Sequence, residues 1–211
     1  MTSAWRQTLG TALVTGLVGL GLLAAGSFLQ GWLPDDDEDP GAEPHVRSGR
    51  VGQALDLRAA TVTVDEVLGT RRMVEYGSEL VSPGLWVVAR YTVVGTEENT
   101  PITFAEMADG EGRAWGLVGR NANSCAESPP GVAVHCTVYV EVPPDALPTL
   151  RLRLARLSSD TRFDALAEID LGLTSADAEA FASAPPYDVP APSLGDPADD
   201  PADDPGGEDA S

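Results

Sequence analysis

Few residues in this chain of 211 are equipped for chemistry. His45 and His135 are the only imidazoles that could act as base or ligand, and neither sits in a catalytic or metal-binding pattern. GxSxG, HExxH, a close CxxC pair and a Gly-rich phosphate loop are all missing, so nucleophilic, metal and nucleotide chemistry have no visible starting point. The expectation is a protein that is not an enzyme and takes no cofactor and no metal. An extracytoplasmic hydrolase is the weakest of the functional readings. Asp35, Asp37 and Asp39 alternate like the oxygens of a calcium loop, but Pro40 stands where Gly is needed and the twelfth position is Val46 instead of Glu. A solvated acidic spacer is therefore expected there.

Cys125 and Cys136 are the only cysteines. They are expected to bond to each other, clipping the Pro129-Pro130-Gly131 loop to the start of a strand and stabilising by roughly 2.5–3 kcal/mol in the chain-entropy picture. Their spacing is too short for the inter-sheet bridge of antibody domains. Redox catalysis would need a closer pair or an activated lone thiol. Arg71 and Arg72, in the RRMVEYG stretch, form a candidate partner loop, because loops at one end of a sandwich commonly bind. Trp86, Tyr91, Phe104, Trp115 and Tyr139 lie in strand patterns and are expected to be core instead of a ligand platform.

The elements that would position these residues follow from hydrophobic periodicity. Leu9 to Leu33 contains no ionisable side chain and reaches roughly 37 Å as a helix, enough to cross about 30 Å of hydrocarbon. Trp5 and Trp32 bracket it, Arg6 lies on one side, and Asp35 to Asp39 on the other, so the amino terminus is expected in the cytoplasm and the rest outside. The apolar stretch exceeds the h-region of a signal peptide, which favours an uncleaved anchor over cleavage near Ala24-Ala25-Gly26. Within it Ala12, Gly16 and Gly19 belong to a small-residue stripe on which another helix could pack. The net charge of −20 argues against nucleic acid as a partner.

The expected organisation is a short cytoplasmic segment (1–8), a transmembrane helix (9–33), an acidic Pro/Gly spacer (34–49), a β-sandwich (50–173), and a short helix followed by a disordered Asp/Pro-rich tail (174–211). In the sandwich, Val62 and Val64 alternate with polar neighbours, as do Leu150, Leu152 and Leu154, predicting half-buried strands. Further strands are expected at Leu85–Val94, Ile102–Ala108, Arg113–Val118, Val132–Val142 and Leu166–Leu171. The continuous apolar run of the first of these fits a strand buried on both faces. Thr174 and Asp177 form a candidate capping pair for a helix ended by Pro185-Pro186.

From Val51 to Leu173 the chain resembles the small immunoglobulin-like domains of actinobacterial and other Gram-positive lipoproteins and secreted antigens. The likeness lies in TVTVDEV (61–67), GLWVVARYTV (84–93), FAEMADGEGRAW (104–115) and PPGVAVHCTVYVEVP (129–143). It departs in having no Cys after the apolar run to receive a lipid. The resemblance implies an immunoglobulin-like sandwich outside the cytoplasm with no assigned activity. The function expected is a membrane-anchored binding or interaction module with an envelope protein as partner. The alternative is an accessory subunit whose span packs into a membrane complex.

Overall fold

The computed structural model describes residues 43–75, 77–117, 121–157, 161–162 and 164–195. The expected span over 9–33, with Ala12, Gly16 and Gly19, the acidic run 35–39 and the tail 196–211 lie outside the described residues. Among the described residues no helix is long and apolar enough to cross a membrane.

Two sheets face each other across the main core. The strands are β1 (His45–Arg50), β2 (Leu55–Asp56), β3 (Ala60–Glu75), β4 (Ser78–Gly95), β5 (Phe104–Ala108), β6 (Ala114–Trp115), β7 (Asn121–Ser124), β8 (Ala133–Val142), β9 (Arg151–Ala155), β10 (Ala165–Asp170), β11 (Tyr187–Asp188) and β12 (Ser193–Leu194). One sheet runs β1-β10-β9-β5-β6. The other is built on β3-β4-β8, with β2 and β11 on the free edge of β3 and β7 and β12 on the free edge of β8. A 3-10 turn (Pro144–Thr149) links β8 to β9, and helix α1 (Asp177–Ser183) follows β10.

The alternation in the sequence explains the core. Val62 and Val64 on β3, Val87, Ala89 and Tyr91 on β4, and Leu152 and Leu154 on β9 all point between the sheets and are buried. Each of the Val and Leu side chains contributes about 1.5–3 kcal/mol of transfer free energy. The intervening Arg151 and Arg153 face water and pair with Glu168 at 3.2 and 3.0 Å, and Arg153 also reaches Glu106 at 3.2 Å. The wet face of that sheet is thus a ladder of alternating charge across β10, β9 and β5.

Three boundaries differ from the sequence expectation. Folding begins at His45 and not at Arg50, because β1 pairs in parallel with β10 from His45↔Ala165 to Arg50↔Asp170. Its side chains are mostly exposed, so backbone hydrogen bonds hold it and no hydrophobic rhythm announces it. The RRMVE part of that stretch is not a loop: it belongs to β3, which pairs with β4 in a long hairpin as far as Glu75↔Ser78, and Gly77, with φ 75°, lies in the turn. Finally, residues 185–195 are not disordered. They form a strap with two short strands, β11 pairing with β3 and β12 with β8. The Thr174 N–H and hydroxyl both donate to Asp177 Oδ2 at 2.7 Å, but the helix starts at Asp177 behind Ala176 with no side-chain cap, so the pair fastens the turn before the helix and does not cap it.

At the β5–β6 turn, Asp109 accepts from Arg113 Nε at 2.6 Å and from the N–H groups of Glu111 and Arg113 at 2.9 Å. Arg113 also reaches Asp145 at 2.8 Å. Burial pushes the Asp109 carboxyl up, but these hydrogen bonds and the guanidinium charge outweigh it and hold it below the ordinary range. The Arg113 hydrogen bond likewise lowers Asp145. A depressed folded-state value gives stability that is present above the unfolded value of about 4 and is lost as pH falls through the folded value. The stability gap between the protein and Asp109→Asn should therefore be constant above about pH 5 and close below about pH 4. Denaturant midpoints taken across that range check it.

Candidate functional site

The face of the β3-β4-β8 sheet turned away from the main core carries the polar cluster most suggestive of a site. Its geometry begins with a bulge in β3 between Val64 and Glu66. The extra residue breaks the two-residue alternation, so Asp65 and Glu66 both line a cleft on this outer face. On β4 the outward positions are Arg90 and Thr92, and the register sets Thr92 opposite His135 of β8. The strap crosses above them, contributing Pro190, Ala191 and Ser193 to a cleft of about 290 Å³.

The polar groups are joined in a line. Thr92 Oγ1 donates to Asp65 Oδ2 at 2.7 Å and lies 2.9 Å from His135 Nδ1. His135 Nε2 meets the Gly195 carbonyl at 2.7 Å. Beside this line Arg90 pairs with Glu66 at 3.4 Å, both half-exposed, a contact contributing at most about 1 kcal/mol. Tyr187 leans over the pair: burial pushes its hydroxyl up, and the Arg90 charge pulls it back.

Chemically, the order is carboxylate, hydroxyl, imidazole. In a nucleophilic triad the carboxylate orients the imidazole, which in turn takes the hydroxyl proton. Here the carboxylate holds the hydroxyl, and the far imidazole nitrogen is occupied by a backbone carbonyl. The arrangement can bind, but it is not set up to activate Thr92. Among the described residues no three His, Cys, Asp or Glu side chains converge as a metal site.

The apolar end of the same face is a second, smaller core. Met73, Trp86, Val88 and Tyr139 are buried there, with Leu80, Tyr187 and Val189 packed against them. Trp86 meets Tyr139 edge-on, with ring centroids 5.7 Å apart. The Tyr139 hydroxyl donates to Glu75, and the Thr70 hydroxyl donates to the Pro185 carbonyl at 2.9 Å. Upstream, Phe181 of α1 sits over Gly69, where a Cβ would come within 2.0 Å of the ring. Gly69→Ala should therefore unseat Phe181 and cost about 1–3 kcal/mol by overpacking. Faster hydrogen exchange over 178–189 with unchanged β8–β9 amides is the expected signature.

Of the residues singled out in the sequence, Cys125 and Cys136 are bonded, with Sγ atoms 1.99 Å apart, joining the segment after β7 to β8. Arg71 and Arg72 lie in the hairpin arm, at a second bulge of β3, and Arg72 approaches Glu79 only at 3.9 Å. They do not join the cleft. Trp86, Tyr91 and Tyr139 are buried, whereas Phe104 and Trp115 are half-buried. His45 begins β1, its N–H bonded to the Asp164 carbonyl at 2.8 Å. The Asp65–Thr92–His135 line escaped sequence reasoning because no local motif joins residues that meet only through strand register. The one available signal was the Asp65-Glu66 pair interrupting an alternating strand.

No known family profile matches the chain, and no curated protein matches it. Two solved structures are similar. The yjhA protein of Bacillus subtilis has a TM-score of 0.42 at 12% identity, covering 58% of this chain and 99% of that one. An uncharacterized beta-sandwich protein of Clostridium difficile 630 has a TM-score of 0.40 at 8% identity, covering 62% of this chain and 99% of that one.

Proposed function

We propose that the protein is a membrane-anchored, extracytoplasmic binding module without catalytic activity, its sandwich immunoglobulin-like and related to the domains of Gram-positive lipoproteins and secreted antigens. The strand order supports the fold part of this reading. Taken as A to G, the sheets β3-β4-β8-β7 and β10-β9-β5-β6 follow the A-B-E-D and G-F-C order of immunoglobulin domains, with β6 beside C. A disulfide between Cys125 and Cys136 is in keeping with an oxidising compartment, and the apolar stretch 9–33 supports bilayer anchoring.

The observation that carries the binding reading is the cleft itself. It gathers Asp65, Glu66, Arg90 and His135 on one sheet face, in an order that suits recognition of a polar partner better than catalysis. The partner in this reading is an envelope protein.

Co-purification of tagged full-length protein from native membranes in mild detergent tests this. It is run beside a version with Leu9–Leu33 exchanged for a neutral span and beside Asp65→Asn/Arg90→Ala. A stoichiometric partner that survives the span exchange and disappears with the cleft variant is expected. A partner lost on span exchange would move the function to the Ala12/Gly16/Gly19 stripe and make the protein an accessory subunit; no partner in any preparation would sink the envelope-protein assignment. For location, external protease on intact protoplasts should remove a tag placed after Ser211, and its protection would overturn the topology.

A further inference from the structure

The two sheets treat their edges unequally. In one, β3 is covered by β2 and β11, and β8 by β7 and β12. In the other, β6 closes one side and β1 is the last strand on the opposite side. β1 is 6 residues long, contains no proline and pairs with β10 without a bulge. Exposed edges are usually guarded by proline, a bulge, a covering segment or charge. Among the described residues β1 has only the charge of Arg47 and Arg50.

One hydrogen bond fixes which of its backbone groups point outward. The His45 N–H donates to the Asp164 carbonyl at 2.8 Å. In a parallel ladder this phase turns His45, Arg47 and Gly49 to β10 and leaves the N–H and C=O of Val46, Ser48 and Arg50 facing away. The Arg50 carbonyl accepts from the Gln53 N–H at 3.0 Å but keeps a second lone pair. The outward groups of Val46 and Ser48 meet no protein partner among the described residues. Val46 is 50% exposed, and Arg47 and Ser48 are exposed as well, so the edge is open to a further strand.

We infer that β1 is a self-association edge: β1 of a second copy adds to it antiparallel, about a two-fold axis at Ser48, and joins the two β1-β10-β9-β5-β6 sheets into one. The edge is complementary to itself, which is what a two-fold pairing requires. With the axis at Ser48, that residue faces Ser48 of the second copy and Val46 faces Arg50 of the second copy. Every outward group is then used, in about six hydrogen bonds. Arg47 lies opposite Gly49, and no like charges face each other. An axis at Arg47 would set two arginines directly opposite, and one at Gly49 would leave the Val46 groups unpaired. The pairing uses neither the cleft nor the strap, so it stands apart from the envelope-partner reading.

Full-length protein in mild detergent, carrying one added cysteine and mildly oxidised, reads the register on a non-reducing gel, since Cys125 and Cys136 are already bonded to each other. Ser48→Cys should give a cross-linked dimer, because the Cα atoms of a hydrogen-bonded antiparallel pair lie about 5.5 Å apart, within reach of a disulfide. Val46→Cys alone should not, its two copies standing about 13 Å apart along the strands, but mixed with Arg50→Cys it should. Ser48→Pro deletes the N–H at the axis in both copies without touching a bond to β10. It should weaken dimerisation of the otherwise unaltered chain, measured by sedimentation, roughly tenfold or more. Should that variant unfold, the cysteine pairs decide. Asp65→Asn/Arg90→Ala, which strips the cleft, should leave cross-linking as it was. Absence of a Ser48→Cys dimer, equal cross-linking by Val46→Cys alone, or dimerisation that a folded Ser48→Pro variant leaves unchanged would overturn the edge.

Discussion

Replacing Trp86 by Ala lowers the unfolding free energy by about 3–5 kcal/mol, the cost of removing a large, fully buried aromatic. The effect is expected although Trp86 lies on the face of its sheet away from the main core. Alternation along β4 puts Val87, Ala89 and Tyr91 between the sheets and Trp86 and Val88 on the other side. That second side is dry because Met73 of the hairpin arm, Tyr139 of β8 and the strap residues Tyr187 and Val189 close over the indole. Removing the ring takes away the edge-on contact with Tyr139 and the surface on which the strap rests. Two signals should appear together: a lower denaturant midpoint for the whole domain, and lost exchange protection at Val189, whose N–H donates to Val74 at 3.1 Å. A loss below about 1 kcal/mol with the strap still protected would show that this face does not act as a second core.

Trp86 also marks how far the sequence could be read. The continuous run Leu85–Val94 predicts a strand covered on both faces, and that is its environment, but nothing in the run identifies the cover. The cover is a Pro-rich segment, YDVPAPSL, with only two residues in each of its strands. Composition predicts disorder there because local pattern cannot register hydrogen bonds supplied by distant edges at Val74 and Val134. The same reason hid β1, which is held along β10 by its backbone.

The hairpin arm was obscured differently. Bulges at Asp65 and Arg71 shift the alternation twice within β3, so its outer half reads as irregular sequence. The half-buried strands at Val62–Val64 and Leu152–Leu154, which keep one phase and one wet face, were legible throughout. The cleft was not, since Asp65, Thr92 and His135 are brought together only by the register of β3, β4 and β8.

Removing both cysteines, as Cys125→Ala/Cys136→Ala, should lower stability by roughly 2.5–3 kcal/mol. The bridge closes a sequence separation of 11 residues, with Cα atoms 4.6 Å apart, and the loop it closes is otherwise held at few points. Ser128 supplies most of them: its buried hydroxyl accepts from the Gly95 N–H at 2.8 Å and lies 2.9 Å from the Val132 carbonyl. Thr100 and Ser128 also exchange backbone hydrogen bonds at 2.9 and 3.0 Å. These contacts persist in the folded variant, so the native structure is retained and the loss comes mainly through the greater freedom of the unfolded chain. The double variant should therefore shift the denaturant midpoint while leaving β4–β8 amide protection unchanged under native conditions until global opening governs exchange. Reduction of the wild-type protein should reproduce the shift, and reduction of the double variant should do nothing. A midpoint unmoved by both treatments would mean that the Ser128 contacts alone fix the loop and that the bridge adds no constraint to the unfolded chain.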